Sequence, residues 1–487
     1  MCKISPEPQI IMEDKSTALS VHVNIVQCRN RSEEEIQAKL LHFTRFRATF
    51  EIYAPACLLQ MSEVLQDFKI IFDDQEVYFG KAVVSNIINA GGVMICEATL
   101  DDSWIAINPT ARNRNLSLPA EFDSFLLQWQ KVYKVLPEFK IVIADMQSLL
   151  SDMRLWMGQL EMQIQASNSG NWDRIEIATA HELSAPALSA IESLGDRFEE
   201  IACGLQPNMR PVHIHFTRQN LHSLLLCSPF SHRTFHKPLG YAGDYGMVNM
   251  ILQDPYKGTS LYAKVVNAWF LSQLPAEAHR NRIKFLKRKL TEEILRTKKW
   301  KRPARIFNLG CGPAHEIQEL LAESTVCDHA QFTLLDFNEE TIQYANRTLN
   351  QIARQSNRKT TIQMRKKTVQ QLLKEAMRSE KNPTSEKYDF IYCAGLFDYL
   401  PDSVCKQLVE VFYQLLAPDG SLLVTNVDGT RPFRNKLEFI LDWNLIYRNA
   451  KELSEFKPEA APIEACSVRS DLTSVNVFLE VRKHENA

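Results

Sequence analysis

The chain has 487 residues, 45% of them hydrophobic, and a formal net charge of −2, enough for two to three domains with sizeable cores and too much for a small single domain. A near-neutral balance excludes a globally electrostatic nucleic-acid binder, and no run approaches the roughly 18 apolar residues of a membrane span. The opening MCKISPEPQIIMEDK lacks a basic region followed by an apolar one, and 11 scattered cysteines without a C-x-x-C pair suit reduced core thiols rather than a metal site, so a soluble, cytoplasmic protein is expected.

Residues 1–17 carry prolines and charge without periodicity and read as a flexible tail. Over residues 18–110, apolar and β-branched runs at Leu19 to Val26, Ala48 to Tyr53, Phe68 to Phe72, Val77 to Ile88 and Val93 to Ala98 predict strands. Turn clusters at Asp73-Asp74 and Asn89-Ala90-Gly91-Gly92 separate them, so the expected unit is a small antiparallel barrel. The stretches FEIYAPACLLQMSEVLQDFKI and YFGKAVVSNIINAGGVMICEATLDDSW make this unit resemble a divergent PilZ domain of the kind that precedes certain bacterial methyltransferases. PilZ domains that bind cyclic di-GMP carry R-x-x-x-R and a later [DN]-x-S-x-x-G. Here Arg45 and Arg47 are separated by one residue, and Ser85 is followed three places on by Ile88 rather than glycine. Cyclic di-GMP is therefore not an expected ligand, and a structural or docking barrel is.

Residues 111–300 change period. Phe122, Phe125, Leu126, Trp129, Val132 and Leu136 fit one helix face, and Phe139, Val142, Met146, Leu149, Met153, Trp156, Leu160 and Ile164 another. Their Met and Trp stripe suits core packing or the seam of a homodimer rather than a cofactor box. Asn168 to Trp172 predicts a loop and Ile175 to Ile201 a further helix. His213 and His215 would share one side of a strand, but nothing nearby completes a metal set, so ordinary polar packing is expected. The run Lys237-Pro238-Leu239-Gly240-Tyr241-Ala242-Gly243-Asp244-Tyr245 predicts a compact turn offering aromatic faces and a carboxylate, suited to cover a cationic ligand. Between Glu277 and Arg305 lie 12 Lys/Arg against three Glu, with Ile283, Leu286, Leu290 and Ile294 forming one apolar stripe. That is a helix with a basic outer face, by default solvated, with an acidic acyl carrier protein or an anionic membrane as the partner it would suit. Nucleic acid is not expected, because only Trp300 is interleaved.

Residues 301–487 alternate in type. The run Ile306 to Leu309 enters a Gly310-Cys311-Gly312-Pro313 turn, an amphipathic segment follows through Leu321, and Phe332 to Leu335 ends on Asp336. Glycines there let backbone approach a ligand, and an acid ending the second strand can hold two ribose hydroxyls. A dinucleotide fingerprint would need a small residue where His315 stands. The unit instead resembles motif I of class I S-adenosylmethionine (SAM) methyltransferases. Helices at Glu339 to Ala353, Val369 to Met377 and Asp402 to Leu416, strands at Thr361 to Met364, Tyr388 to Cys393 and Ser421 to Asn426, and a closing hairpin at Ile463 to Val468 and Val475 to Val481 complete a Rossmann-like α/β series.

Together HKPLGYAGDYGMVNMI, GCGPAHE, YDFIYCAGLFDYLPD and LEFILDWNLIYR make residues 40 to 483 resemble bacterial SAM-dependent methyltransferases labelled as extracellular-factor 3-hydroxypalmitic acid methyl ester biosynthesis proteins. The resemblance implies SAM as cofactor and a multidomain protein of PilZ-like barrel, helical active-site cover and methyltransferase domain. It implies that Gly310, Cys311, Gly312, Pro313 and Ala314 pass the methionyl part, Asp336 holds the ribose, and Phe337 borders the adenine. Ala394, Gly395 and Phe397 would line the pocket near the sulfonium, with Tyr241 and Asp244 on the lid. Asn308 stands where motif I often has an acid, and Lys366-Lys367-Thr368 offers no acid for the adenine amino group, leaving the Thr368 hydroxyl. Candidate orienting or proton-accepting groups are Tyr241, Asp398, Tyr399 and His236, each as readily a packing residue. Asp442 and Trp443 are candidates to wall an acceptor pocket. The implied acceptor is a 3-hydroxy fatty acyl group, with a polar small molecule, or a non-catalytic SAM- or nucleotide-sensing protein, as the alternatives.

Overall fold

The structure, a computed structural model, describes residues 24–44, 46–53, 59–72, 75–89, 93–100, 135–167, 172–379 and 386–484, with Pro119, Asp123 and Leu126. The expected tail, most of the strand at Leu19 to Val26, Arg45, the Asp73-Asp74 and Ala90-Gly91-Gly92 turns, most of the helix Phe122 to Leu136 and nearly all of the Asn168 to Trp172 loop lie outside these residues.

Six antiparallel strands, β1 (Ile25–Arg29), β2 (Glu35–Phe43), β3 (Arg47–Tyr53), β4 (Val64–Phe72), β5 (Gln75–Asn89) and β6 (Val93–Leu100), close into a barrel in the order β1-β2-β3-β6-β5-β4. Side chains alternate across a strand, so inward Phe50, Phe68, Tyr78, Met94 and their alternates fill the interior. Strand β2 is a departure from the expected set. Its EIQAKLLHF buries only Ile36, Ala38 and Leu40 between outward Glu35, Gln37, Lys39 and Leu41, a half-buried alternation that a search for apolar runs passes over.

The helical middle contains α1 (Pro137–Ser167), α2 (Trp172–Cys203), α3 (Arg210–Leu225), α4 (Pro229–His236), α5 (Tyr245–Leu252), α6 (Leu261–Ser272) and α7 (Leu274–Lys298). Phe139, Phe198 and Phe439 meet at its centre, with ring centroids 5.6 to 6.1 Å apart. On α1 the expected stripe is largely inward, with Phe139, Val142, Met146 and Ile164 buried and Ile143, Leu150 and Met157 beside them, while Trp156 is 54% exposed. The His213 pair also needs correcting. Both histidines lie on α3 rather than a strand, where two-residue spacing points side chains to opposite sides. His213 packs on Phe139 and its Nε2 accepts the Leu136 N–H at 3.1 Å, while burial lowers its pKa and keeps it neutral. Among the described residues no cluster of His, Cys, Asp and Glu could hold a metal, and no helix is long and apolar enough to cross a membrane.

Helix α7 buries Ile283, Leu286, Leu290 and Ile294 as expected. Its basic face is largely internally paired: Arg280 with Glu277, Lys287 with Glu319 and Glu323, Arg288 with Glu292, and Lys289 with Glu480. Less charge is thus left for an acidic partner than the count suggests.

The last unit is a seven-stranded sheet flanked by helices. Its strands are β7 (Ala304–Leu309), β8 (Ala330–Asp336), β9 (Thr361–Lys366), β10 (Tyr388–Cys393), β11 (Leu416–Val427), β12 (Cys466–Ser470) and β13 (Asn476–Arg482), in the order β12-β13-β11-β10-β7-β8-β9. The pairings from β9 through β11 are parallel, and β13 slots antiparallel between β11 and β12. The helices are α8 (His315–Glu323), α9 (Glu339–Gln355), α10 (Val369–Ser379), α11 (Asp402–Leu415) and α12 (Ala450–Ser454).

Candidate active site

Strand β7 has β8 on one side and β10 on the other, so the chain order reverses there and a crevice opens at the carboxyl ends of these strands. Gly310 and Cys311 both donate their N–H to the Leu335 carbonyl, at 2.8 and 3.0 Å, folding the turn back over β8. Gly312 takes φ +51°, and a Cβ there would meet nothing within 4 Å. Positive φ therefore selects glycine, and the turn faces open space that backbone of a ligand-binding loop can use. Ala314, at φ +53°, starts α8. Asp336 is 5% exposed; one carboxylate oxygen accepts from the Gly312 N–H at 3.1 Å and the other from the Asn338 N–H at 3.0 Å. Burial pushes its pKa up, opposed by those two N–H groups and by Arg31.

The barrel closes this crevice. Fully buried Glu63 accepts from the backbone N–H groups of Arg31 and Gln60, at 3.1 and 2.8 Å. The Arg31 guanidinium donates to Gln60 Oε1 at 2.5 Å and lies 3.8 Å from the Phe337 ring centroid. The Tyr241 ring packs at 5.2 Å from Phe337. Backbone bonds from Val64 N–H to the Gly240 carbonyl (2.8 Å) and from Met61 N–H to the Tyr399 carbonyl (3.3 Å) fasten barrel, turn and sheet together.

The crevice spans about 1010 Å³, its solvent-open mouth included. Gly310, Cys311, Gly312, Pro313, Ala314, Asp336, Phe337, Ala394, Gly395, Tyr241 and Tyr399 all line it, with Asn308 and Lys367 at the two positions where an acid is missing, as do Arg31, Gln60, His279, Arg282 and Glu316, which sequence reasoning did not place in a site. Five candidates sit elsewhere. Asp244 Oδ1 caps α5 through the Met247 N–H and accepts from Arg233 Nε, both at 2.8 Å, which places it behind the lid. Thr368 accepts from the Gln371 N–H at the start of α10. Phe397 is fully buried in the sheet's other core. His236 bonds the His232 carbonyl and faces a separate groove beside the barrel. Asp398 belongs to an adjoining cavity, where its carboxylate accepts the Val427 N–H at 2.6 Å.

That adjoining cavity, about 950 Å³, shares Gly243, Val248, His279, Arg282, Gly395 and Tyr399 with the first. Its walls are mostly apolar, including Met247, Ile251, Trp269, Phe270, Leu441 and Trp443. Tyr399 stands at the junction, its hydroxyl accepting from Trp443 Nε1 at 3.0 Å. Burial raises the Tyr241 and Tyr399 pKa values well above the ordinary phenol range, so both act as hydrogen-bonding neutral groups. A Cβ on Gly243 would stand 2.4 Å from the Tyr399 hydroxyl. Gly243→Ala is therefore expected to cost about 1–3 kcal/mol of overpacking, read as a lower urea midpoint at unchanged m-value. An unchanged midpoint would mean that the Tyr399 ring yields freely.

Residues 301–467 match a family model described as "Methyltransferase domain". This part of the chain is a methyltransferase domain. Among solved structures, a "possible exported protein" from Bordetella parapertussis is similar at 18% identity and TM-score 0.37, covering 63% of this chain and 98% of that one. Magnesium protoporphyrin IX methyltransferase from Synechocystis PCC 6803 with bound S-adenosylhomocysteine (SAH) shows 11% identity and TM-score 0.31, over 43% and 87% of the two chains. The N-methyltransferase NodS from Bradyrhizobium japonicum WM9 shows 14% identity and TM-score 0.26, over 41% and 96%. No curated protein matches the chain. The methyltransferase domain contributes the strand ends of the crevice, while the barrel and the helical middle supply its cover and most of the second cavity.

Proposed function

We propose that the chain transfers a methyl group from SAM to the carboxylate of an apolar-tailed acid, of which a 3-hydroxy fatty acid is the type. The observation that carries this reading is the pair of cavities joined at Gly395 and Tyr399, one polar and glycine-rimmed, the other apolar. The residues present fit the cofactor. Asp336 keeps lone pairs free for two ribose hydroxyls, Phe337, Tyr241 and Arg31 offer faces to an adenine, and the buried Asn308 Oδ1 has no protein partner. The bound cofactor would supply an activated methyl group on a sulfonium.

The chain's own residues then align and exclude water. The apolar walls bury an alkyl tail, at roughly 0.8 kcal/mol per CH₂. The lid and barrel keep solvent from the junction, where orientation of the reacting atoms carries most of the rate. A carboxylate has no proton to remove, which agrees with Tyr399 at the junction and Tyr241 in the first cavity staying protonated and with Asp398 in the second being tied to backbone. The free acid is the better substrate form, because a carrier thioester leaves no carboxylate at that end and α7 has little unpaired charge. The barrel, read as PilZ-like, serves as part of the site wall through Arg31 and Gln60 rather than as a cyclic di-GMP receptor.

Labelled SAM offered with fatty acids, acyl carriers, phenols, amines and RNA tests the reading. Base-labile label in medium or long 3-hydroxy acids is the expected result. Exclusive labelling of a polar amine or RNA would sink the acyl acceptor and leave methyl transfer standing.

A further inference from the structure

We propose that the Arg282 guanidinium, positioned by His279, is a carboxylate-binding fork at the junction of the two cavities. The inference deepens the functional reading above and rests on it. Both residues lie on α7 one turn apart and both line both cavities. Among the described residues no carboxylate lies within ion-pair distance of the Arg282 guanidinium, whose one described hydrogen bond is from Nη2 to His279 Nδ1, at 2.6 Å.

That bond fixes the imidazole. Arginine has only donors, so Nδ1 must accept and the ring proton of a neutral histidine must sit on Nε2. Burial, then the nearby Arg282, lowers the His279 pKa well below the ordinary value, so the ring is neutral. His279 Nε2 is buried without a partner. An N–H donor left so is destabilising, so the imidazole is kept here at a cost to the fold.

Gly395 supplies a third, independent observation. It takes φ +90°, and a Cβ there would stand 2.9 to 3.2 Å from the guanidinium atoms. The end of β10 is thus bare where the guanidinium lies across it, at the seam of the cavities. Asp398, Tyr399, Glu316 and Cys393 are the other ionisable groups that Arg282 feels. Asp398 is held by the Val427 N–H, and Glu316 accepts from the Tyr392 hydroxyl at 2.7 Å, so neither closes the fork.

A planar two-oxygen anion matches this group, since the parallel N–H donors of a guanidinium edge can serve both oxygens. Two sources share that chemistry: the α-carboxylate of the cofactor's amino-acid part, and the carboxylate of the apolar acceptor. Calorimetric titration of the full chain and its Arg282→Met variant with SAH, 5′-methylthioadenosine and 3-hydroxyhexadecanoate separates them. Methylthioadenosine keeps the adenosine and the sulfur but has no carboxylate.

A loss of about tenfold or more for SAH with methylthioadenosine unchanged assigns the fork to the cofactor. The same loss for the fatty acid with SAH unchanged assigns it to the acceptor. His279→Ala should move the same ligand in the same direction by less. Equal losses for SAH and methylthioadenosine, or all three ligands within about twofold of wild type, would overturn the fork. If Arg282→Met does not fold, Arg282→Lys keeps the charge without the forked geometry and is expected to show the same ligand pattern, weakened. A wild-type chain that binds neither adenosine ligand would instead refute the methyltransferase reading, and the fatty acid alone would then decide the fork.

Discussion

Asp336→Ala is expected to weaken SAH binding by about 1.5–3 kcal/mol, the range for a hydrogen bond to a charged group, or roughly 10- to 150-fold in Kd. The carboxylate is buried, and each oxygen already accepts one backbone N–H, from Gly312 and Asn338, leaving one acceptor position on each for a ribose hydroxyl. The same removal strands those N–H groups and loosens the glycine turn, so melting temperature must be measured beside affinity. Asp336→Asn, which keeps one acceptor oxygen, should fall between the two. A folded alanine variant with unchanged affinity would remove Asp336 from the site.

Asp442→Ala is expected to destabilise the fold by about 3–5 kcal/mol, the cost of leaving a buried charge without its counter-ion. Asp442 is 5% exposed, accepts from Arg218 at 2.9 Å and pairs with the buried Lys237 ammonium at 3.5 Å. Burial alone would raise its pKa, but Arg218 and Lys237 outweigh that and hold it below the ordinary carboxylate value. A folded-state pKa below the unfolded one means that the stabilisation is fully present above the unfolded pKa of about 3.9 and is lost as pH falls through the lower, folded value. Urea midpoints of wild type and variant should therefore differ most near neutrality and converge in acid. A gap that does not narrow on acidification would show that the loss is one of packing, not charge. Lys237 begins the lid turn, so this pair also ties the lid to the segment that walls the second cavity.

Much of the α/β sheet could be read from sequence because its strands are continuous apolar runs ending at glycine or acid. Tyr388–Cys393 and the Gly310 turn are examples, and the alternation left few topologies open. Strand β2 escaped because half-buried alternation with lysine and glutamate dilutes the signal. Trp156 shares the period of the buried α1 stripe and is nonetheless exposed, because a helical period does not tell how wide the covered face is. The strand-end residues of the site followed from motif spacing. Arg31, Gln60, His279 and Arg282 did not, since they come from the barrel and α7, and nothing local in their sequence says which way those elements dock. Only the paired bare positions at Gly243 and Gly395 hinted at a close approach, and the partner each glycine makes room for, Tyr399 and Arg282, is fixed by tertiary packing. Asp244 shows the converse: a carboxylate in a ligand-like turn was claimed by a helix N-terminus and Arg233.

A structure of the chain with SAH is the most direct test of the central claim that a SAM cavity opens onto an apolar acceptor cavity. The account predicts the ribose on Asp336, the adenine between Phe337 and Tyr241, and the sulfur facing the opening between Gly395 and Tyr399. SAH bound with its sulfur against a closed wall, or a dinucleotide taking the site in its place, would contradict it.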